Sequence, residues 1–370
     1  MPLRAELSNV ETQLRLAEPL VRERVTEPSA PRPSARERGV ELEGARSFLV
    51  RSWTGTCFPC LTGPSKNLQV STVVAPESFT AMLVADLLLG IPEFRELATG
   101  IVEMLERELG DEDVFYFFKE HTRLPADADC TAVGLSVLLR ALPELVETAH
   151  TALDRIAANA NARGVVETYF DPSGERSGLV DPVVCANVLF LAHQLGRQDE
   201  LSATEDFLLE TLIDGSYLTG TRYYPAPETF LYFVTRILRS FPHSRLAERV
   251  RPMLRQAIIA RVGTSASPID LAQRVLICSW LGLRNTGEAT MLAKLQDQTG
   301  AWPADSLFQY GRSKVHFGSS GLSTSMALAA LHSVGMLESI DPDSGLASLR
   351  GVGFEQDSGM EFHFAVLDDR

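Results

Sequence analysis

The sequence predicts an all-α protein folded as a single (α/α)6 barrel, on three observations. Strand signals are poor, and helical periodicity dominates once the first 40 residues are passed. Helices apolar on nearly every side begin near Ser78, Cys130, Val183, Glu228, Ile269 and Leu322, roughly 42 to 53 residues apart, a spacing typical of helical-hairpin repeats. Between them run striped, more charged helices, for example over 93–109, 144–161, 200–212 and 245–261. A helix apolar all round has to be buried, and a striped one covers it. Six of each in alternation give parallel inner helices inside an antiparallel outer ring.

Along the chain, residues 1–40 are polar and rich in Arg, Glu and Pro, centred on Glu27-Pro28-Ser29-Ala30-Pro31. They read as a flexible arm outside the core, with a short helix near 9–24. The barrel is expected over 41–345, followed by a tail over 346–370. Cys57-Phe58-Pro59-Cys60 is a single C-x-x-C with no second pair or neighbouring histidine to complete a tetrahedral zinc site, and it lacks the βαβ context of a redox motif. It is expected to be structural, two small buried residues around a turn.

Parallel inner helices put their N-terminal ends on one rim. Those starts carry Glu77, Asp127, Asp129, Asp181, Glu228 and Asp270. Long loops lead into them and bring Phe115-Tyr116-Phe117-Phe118, Tyr169-Phe170, Tyr217, Tyr223-Tyr224, Trp302, Phe308, Tyr310 and Phe317. Loops of this length in a compact domain tend to be functional. The opposite turns, such as Leu142-Pro143-Glu144 and Phe241-Pro242-His243, are short and plain. The acidic, aromatic rim is the expected mouth of a cavity.

Composition narrows the function. The chain has 370 residues, 45% hydrophobic and 22% charged, enough for one large domain or two ordinary ones. A net charge of -14 speaks against nucleic acid, whose phosphates need a basic patch. No apolar run reaches the roughly 18 residues of a spanning helix. Met1-Pro2-Leu3-Arg4 lacks the apolar core of a signal peptide, and five cysteines fit a reducing compartment, so the expected location is the cytoplasm.

The run Asp127-Ala128-Asp129-Cys130-Thr131-Ala132 opens one of the buried helices. Asp and Thr are ordinary N-cap residues, and Asp suits the helix dipole. Two carboxyls this close should also titrate as a coupled pair that retains one proton. Burial would keep an acid neutral, while the helix N-terminus favours ionisation. A neutral, dry, well-aimed carboxylic acid is what protonation of a weak base such as an alkene requires. Aromatic faces then stabilise a carbocation, by perhaps 0.5–2 kcal/mol per ring, without offering a lone pair to trap it.

The same run resembles the protonation motif of the class II terpene cyclases, the squalene-hopene and oxidosqualene cyclase superfamily. One branch has D-x-D-D-T-A and the other D-C-T-A, and this chain looks like a blend, with Asp129 at the position of the general acid. Gln298-Thr299-Gly300-Ala301-Trp302 is similar to the glutamine-tryptophan motif of these proteins, and the likeness continues to Ser323-Thr324. The resemblance covers roughly 45–340. Most members pair two barrels, whereas this length has room for one, so the chain resembles the monodomain cyclases of meroterpenoid biosynthesis.

The resemblance implies Asp129 as general acid, with Asp127 and Cys130 beside it. It also implies substrate contacts from Phe117, Tyr223, Tyr224, Phe230, Trp302, Phe308, Tyr310 and Phe317. The implied substrate is a linear polyprenyl chain of meroterpenoid or sesterterpenoid type, free or on an aromatic head group. No metal is implied, and Mg²⁺ enters only with a diphosphate on the substrate. A polyprenyl substrate is compatible with transient membrane contact. Tyr223, Tyr224, Glu228 and His316 are candidates to end the cascade. Three other readings stay open: a zinc prenyltransferase-like barrel, a glycosidase-like barrel, and a barrel that binds a prenyl lipid or peptide without turnover.

Overall fold

The computed structural model describes residues 42–337 apart from 75, 111 and 314, so the expected arm over 1–40 and tail over 346–370 lie outside the described residues. Twelve α-helices alternate between two layers. The inner ones are α2 (Phe79–Leu88), α4 (Ala128–Ala141), α6 (Pro182–Gln194), α8 (Pro227–Ser240), α10 (Pro268–Trp280) and α12 (Ser320–Ser333). Each packs on the next, and α12 returns to pack on α2, which closes the ring. The outer ones are α1 (Leu42–Ser52), α3 (Arg95–Glu108), α5 (Val146–Ala158), α7 (Ser202–Asp214), α9 (Arg245–Arg261) and α11 (Thr286–Ala293). This is the expected (α/α)6 barrel, with inner helices starting within a residue or two of the positions read from the sequence.

The inner helices start crisply because their first residues are chosen for it. Pro182, Pro227 and Pro268 occupy the first turn, where a missing N–H costs nothing and the fixed φ is already helical. Asp127, Asp181, Ser267 and Ser319 cap four of the starts with side-chain oxygens. In α4, Gly134 makes room for a ring: a Cβ there would lie 2.8 Å from the side chain of Phe115.

One element departs from the all-helical expectation. Strands β1 (Leu61–Gly63), β2 (Thr72–Val73), β3 (Ser306–Gln309) and β4 (His316–Gly318) form an antiparallel sheet in the order β2-β1-β4-β3. Leu61 pairs with Gly318 and Phe308 with Phe317, so the sheet joins the loop before α2 to the loop before α12 across the N-terminal rim. Strands of two to four residues carry too little alternation to read from sequence.

A buried charge cluster fastens this sheet to the barrel. Lys66 Nζ lies 2.8 Å from Asp270 Oδ1, 3.1 Å from Asp305 Oδ2 and 2.8 Å from Ser267 Oγ. Burial pulls the Lys66 ammonium down, but Asp270 and Asp305 outweigh it and hold its pKa above the ordinary value. Removing one partner of such a cluster leaves uncompensated charge, at a cost of about 3–5 kcal/mol. Lys66→Met should therefore lower the melting temperature at pH 7, with partial recovery as pH falls toward 5 and the two carboxyls protonate; a pH series of thermal unfolding curves checks it.

Candidate active site

The long connections all run from outer to inner helices, and they gather on the N-terminal rim. Their aromatic residues enclose a narrow cleft of about 70 Å³ between the rim loops, α4 and the sheet. Phe308 and Phe317 stack at 5.8 Å and 17°, and Phe117 meets them edge-on at 5.4 and 6.2 Å. Phe79 adds a further edge contact to Phe308 at 5.8 Å. On the other side Tyr169 and Tyr223 meet at right angles, 5.9 Å apart.

Asp127 and Asp129 stand at the floor, and the structure gives them different work. Asp127 is the N-cap of α4, extended at φ -136°, ψ 155°, and its Oδ1 accepts from Cys130 N at 2.7 Å. Burial raises its pKa to about 6, against the opposing pull of the Cys130 N–H. Asp129 lies in the first turn, two residues after the cap, is 8% exposed, and is not the capping residue. Its Oδ1 accepts from Asn187 Nδ2 of α6 at 2.8 Å, and its Oδ2 accepts from the Tyr224 hydroxyl. Burial first, then the neighbouring Asp127 charge, raises its pKa to about 7, although the Tyr224 and Asn187 bonds work the other way. Burial outweighs the helix terminus, so a large share of Asp129 is the neutral acid near neutral pH.

The rest of the motif builds this arrangement. Thr131 Oγ1 accepts from Phe115 N at 3.0 Å, which anchors the loop that carries Phe117 and Phe118. Cys130 lines the cleft as a buried thiol whose pKa burial pushes well up, so it is a neutral wall. Asp181 caps α6 through Oδ1 and with Oδ2 accepts from Tyr223 N at 2.9 Å. That bond fixes the turn that aims Tyr224 at Asp129. Gly220 lets the turn close, at φ +81° with Pro225 O only 2.5 Å from where a Cβ would sit.

Of the expected site residues, Asp127, Asp129, Cys130, Phe117, Tyr223, Tyr224, Phe308, Tyr310 and Phe317 all line this cleft. Phe230 and Trp302 do not, and the expectation for them is corrected. Phe230 is fully buried on α8, stacked on Tyr217 at 4.9 Å. Trp302 is fully buried too, and its Nε1 donates to Leu292 O at 2.7 Å, satisfying a carbonyl near the end of α11. The glutamine-tryptophan segment is thus a structural clasp, and Gln298 is exposed. Glu228 and His316 also stand outside the cleft wall; the Glu228 carboxylate is held by Arg261 at 2.9 Å and Arg274 at 3.1 Å. Phe79, Phe118, Leu124, Thr168, Tyr169 and Gln309 complete the lining. Asn187 was missed, although an Asn within an otherwise apolar helix was a signal. Among the described residues no three His, Cys, Asp or Glu side chains converge as a metal site, and no helix is long and apolar enough to cross a membrane.

Residues 68–195, which contain α2 through α6, match the family described as sesquiterpene cyclase astC-like C-terminal domain. Among curated proteins the chain is similar to drimenol cyclase drtB of Aspergillus calidoustus, 32% identical over 207 residues. That alignment covers 56% of this chain and 38% of the relative, so the chain spans well under half the length of the curated protein it matches. Among solved structures it is similar in fold to the type II terpene cyclase MstE from Scytonema, with TM-score 0.60, 13% identity, and coverage of 82% of this chain and 99% of that one. An α-amylase from Clostridium perfringens shares the fold less closely, at TM-score 0.52 and 12% identity over 81% of this chain and 99% of that one. The chain is thus similar in sequence to a protein named as a terpene cyclase and in fold to another.

The raised pKa of Asp129 has a consequence for stability. Its value of about 7 lies above the ordinary carboxyl value of 3.8, so its contribution is fully present below the ordinary value and is lost as pH rises through 7. Asp129→Asn should therefore raise the melting temperature more at pH 8 than at pH 5, where only part of that contribution has been lost. A gain of equal size at both values would contradict the neutral-acid assignment.

Proposed function

We propose that the protein is a class II terpene cyclase that starts cyclisation by protonating the terminal alkene of a linear prenyl chain, with Asp129 as the acid. The observation that carries this reading is a buried carboxyl, its pKa raised to about 7, facing an aromatic cleft while holding two donors on its oxygens. The proton moves from Asp129 to the terminal alkene carbon, and a tertiary cation forms at the other carbon. Successive alkenes attack it and close rings. Loss of a proton to a base, or capture of water, ends the cascade. The Asp129 carboxylate left behind keeps its bonds to Asn187 and Tyr224, which lower the energy of the transition state in which charge develops there.

The rings of Phe117, Phe308 and Phe317 on one side, and Tyr169 and Tyr223 on the other, would fold the chain and shield the cation. Such a wall suits a hydrocarbon better than a sugar, which needs many polar side chains, so the glycosidase alternative finds no support in the lining. Tyr223 and Tyr224 are the terminating candidates that reach the cleft.

The relatives named as sesquiterpene and drimenol cyclases favour a fifteen-carbon chain over the longer chains implied by the meroterpenoid likeness. Two cations sit at the mouth: the Arg176 guanidinium is 5.2 Å from the Tyr169 ring and 3.3 Å from Tyr310 Oη, and Arg222 is 5.8 Å from the Tyr223 ring.

In deuterated water the protein should convert one of a panel of farnesyl to geranylgeranyl substrates, as diphosphates, alcohols and aryl conjugates, to a cyclic product carrying one deuterium, read by mass spectrometry. Asp129→Asn should abolish that product while leaving the fold intact, and retained turnover would remove Asp129 from its role. Asp127→Asn keeps a capping oxygen and should reduce activity more mildly. Because the acid form is the reactive one, the rate should fall as pH rises through about 7.

A further inference from the structure

The C-terminal turns of the six inner helices surround a second cavity, about 820 Å³ in volume, at the end of the barrel opposite Asp129. Its charge is unlike that of the rest of the protein, whose net charge is -14. Three arginines line it against one carboxylate. Arg140 of α4 and Arg236 of α8 both bond Asp86 Oδ1 of α2, at 2.9 and 2.8 Å. Arg239, one turn on from Arg236, forms no ion pair among the described residues and lies 4.9 Å from the Trp280 ring.

Part of this arrangement has a plain cause. Six parallel helices end here, and cations complement the negative ends of their dipoles. Dipole complementation does not require the cations to converge in one concave pocket, where they repel each other in low dielectric. Arg236 in particular is only 5% exposed, with its charge shared between Asp86 and the edge of Asn187. Trp280 lines the same wall, with its ring against Arg239.

We propose that this cavity is a second binding site, for a phosphate or diphosphate group. Three guanidiniums less one carboxylate leave two positive charges, which match a dianion and leave a single carboxylate one charge short. Guanidinium forks also fit phosphate oxygens geometrically. The volume exceeds a bare phosphate, and the rings of Trp280, Tyr232 and Phe190 along the wall give an apolar body a place to lie. The anion is therefore either free or the head group of a phosphorylated lipid. The site is distinct from the aromatic cleft and does not depend on the cyclase reading.

Calorimetric titration of the full-length protein with inorganic diphosphate, and separately with dihexanoyl phosphatidic acid below its micelle concentration, tests it. Saturable binding of either ligand is expected, weaker in high salt. Binding of diphosphate identifies a free anion, and binding of the lipid alone identifies a lipid head group. The pair Arg140→Gln and Arg239→Gln should weaken it by about tenfold or more, the worth of one or two charge-assisted bonds. Asp129→Asn and Arg176→Gln, at the other end, should leave it within about twofold. If the double variant melts early, Arg239→Gln alone carries the test, since only the Trp280 contact is lost. No saturable binding of either ligand, or binding that ignores the two arginines and falls with Arg176→Gln, would overturn the proposal.

Discussion

The burial of one carboxyl group governs the organisation of the N-terminal rim. Asp129 sits where a helix start would favour its charged form, yet its surroundings raise its pKa to about 7. That outcome needs water kept out, which the rings of the cleft achieve, and it needs Asp127 beside it as a second buried negative group. It also needs the residual polarity of the acid to be satisfied, which Asn187 and Tyr224 do from two other helices and loops. Each support is itself held in place: Tyr224 by the Asp181-anchored turn, Asn187 by Arg236, and the ring wall by the sheet that Lys66 pins to α10. A neutral carboxylic acid in the first turn of a helix is held against the helix dipole, so the rim is built as a set of clasps around it.

The barrel was legible because burial on all sides leaves a simple trace. Ala128–Ala141 and Pro182–Gln194 have almost no polar stripe, and a helix of that kind can only be internal. Asp129 was legible because it stands in a run whose residue types recur together. Glu77 and Asp181, which stand at helix starts as read, each accept a backbone N–H of their own helix. The misreadings share one cause, which is that an aromatic residue near a loop does not reveal which way it faces. Trp302 and Phe308 lie six positions apart on one loop, yet the indole turns inward to a carbonyl of α11 and the phenyl ring turns to the cleft. The sheet decides that difference, and its strands are too short to announce themselves. Phe79 was passed over for the opposite reason, as one apolar residue among many in an apolar helix.

The C-terminal end of the barrel shows how a site can be hidden from sequence. Arg140, Arg236 and Arg239 each stand near the end of a helix, where a cation is expected on electrostatic grounds alone. Their turns are short and plain. Only the closing of the ring brings three of them into one cavity, and closure is a property of the whole chain. The Arg236 position inside an otherwise apolar helix was the one local sign, parallel to that of Asn187 in α6.

Those two polar residues also connect the ends. Arg236 bonds Asp86 on one side and Asn187 Oδ1 on the other, and Asn187 Nδ2 bonds Asp129. An amide has one donor group and one acceptor, so the guanidinium on its oxygen dictates that its nitrogen faces the acid. The Arg therefore fixes the sign of the hydrogen bond at Asp129: a donor to the oxygen, which favours the carboxylate form. The toroid itself is shared with an α-amylase and says nothing about chemistry. In this chain a polar line from Asp86 through Arg236 and Asn187 crosses the apolar ring of helices and holds Asp129 in one orientation.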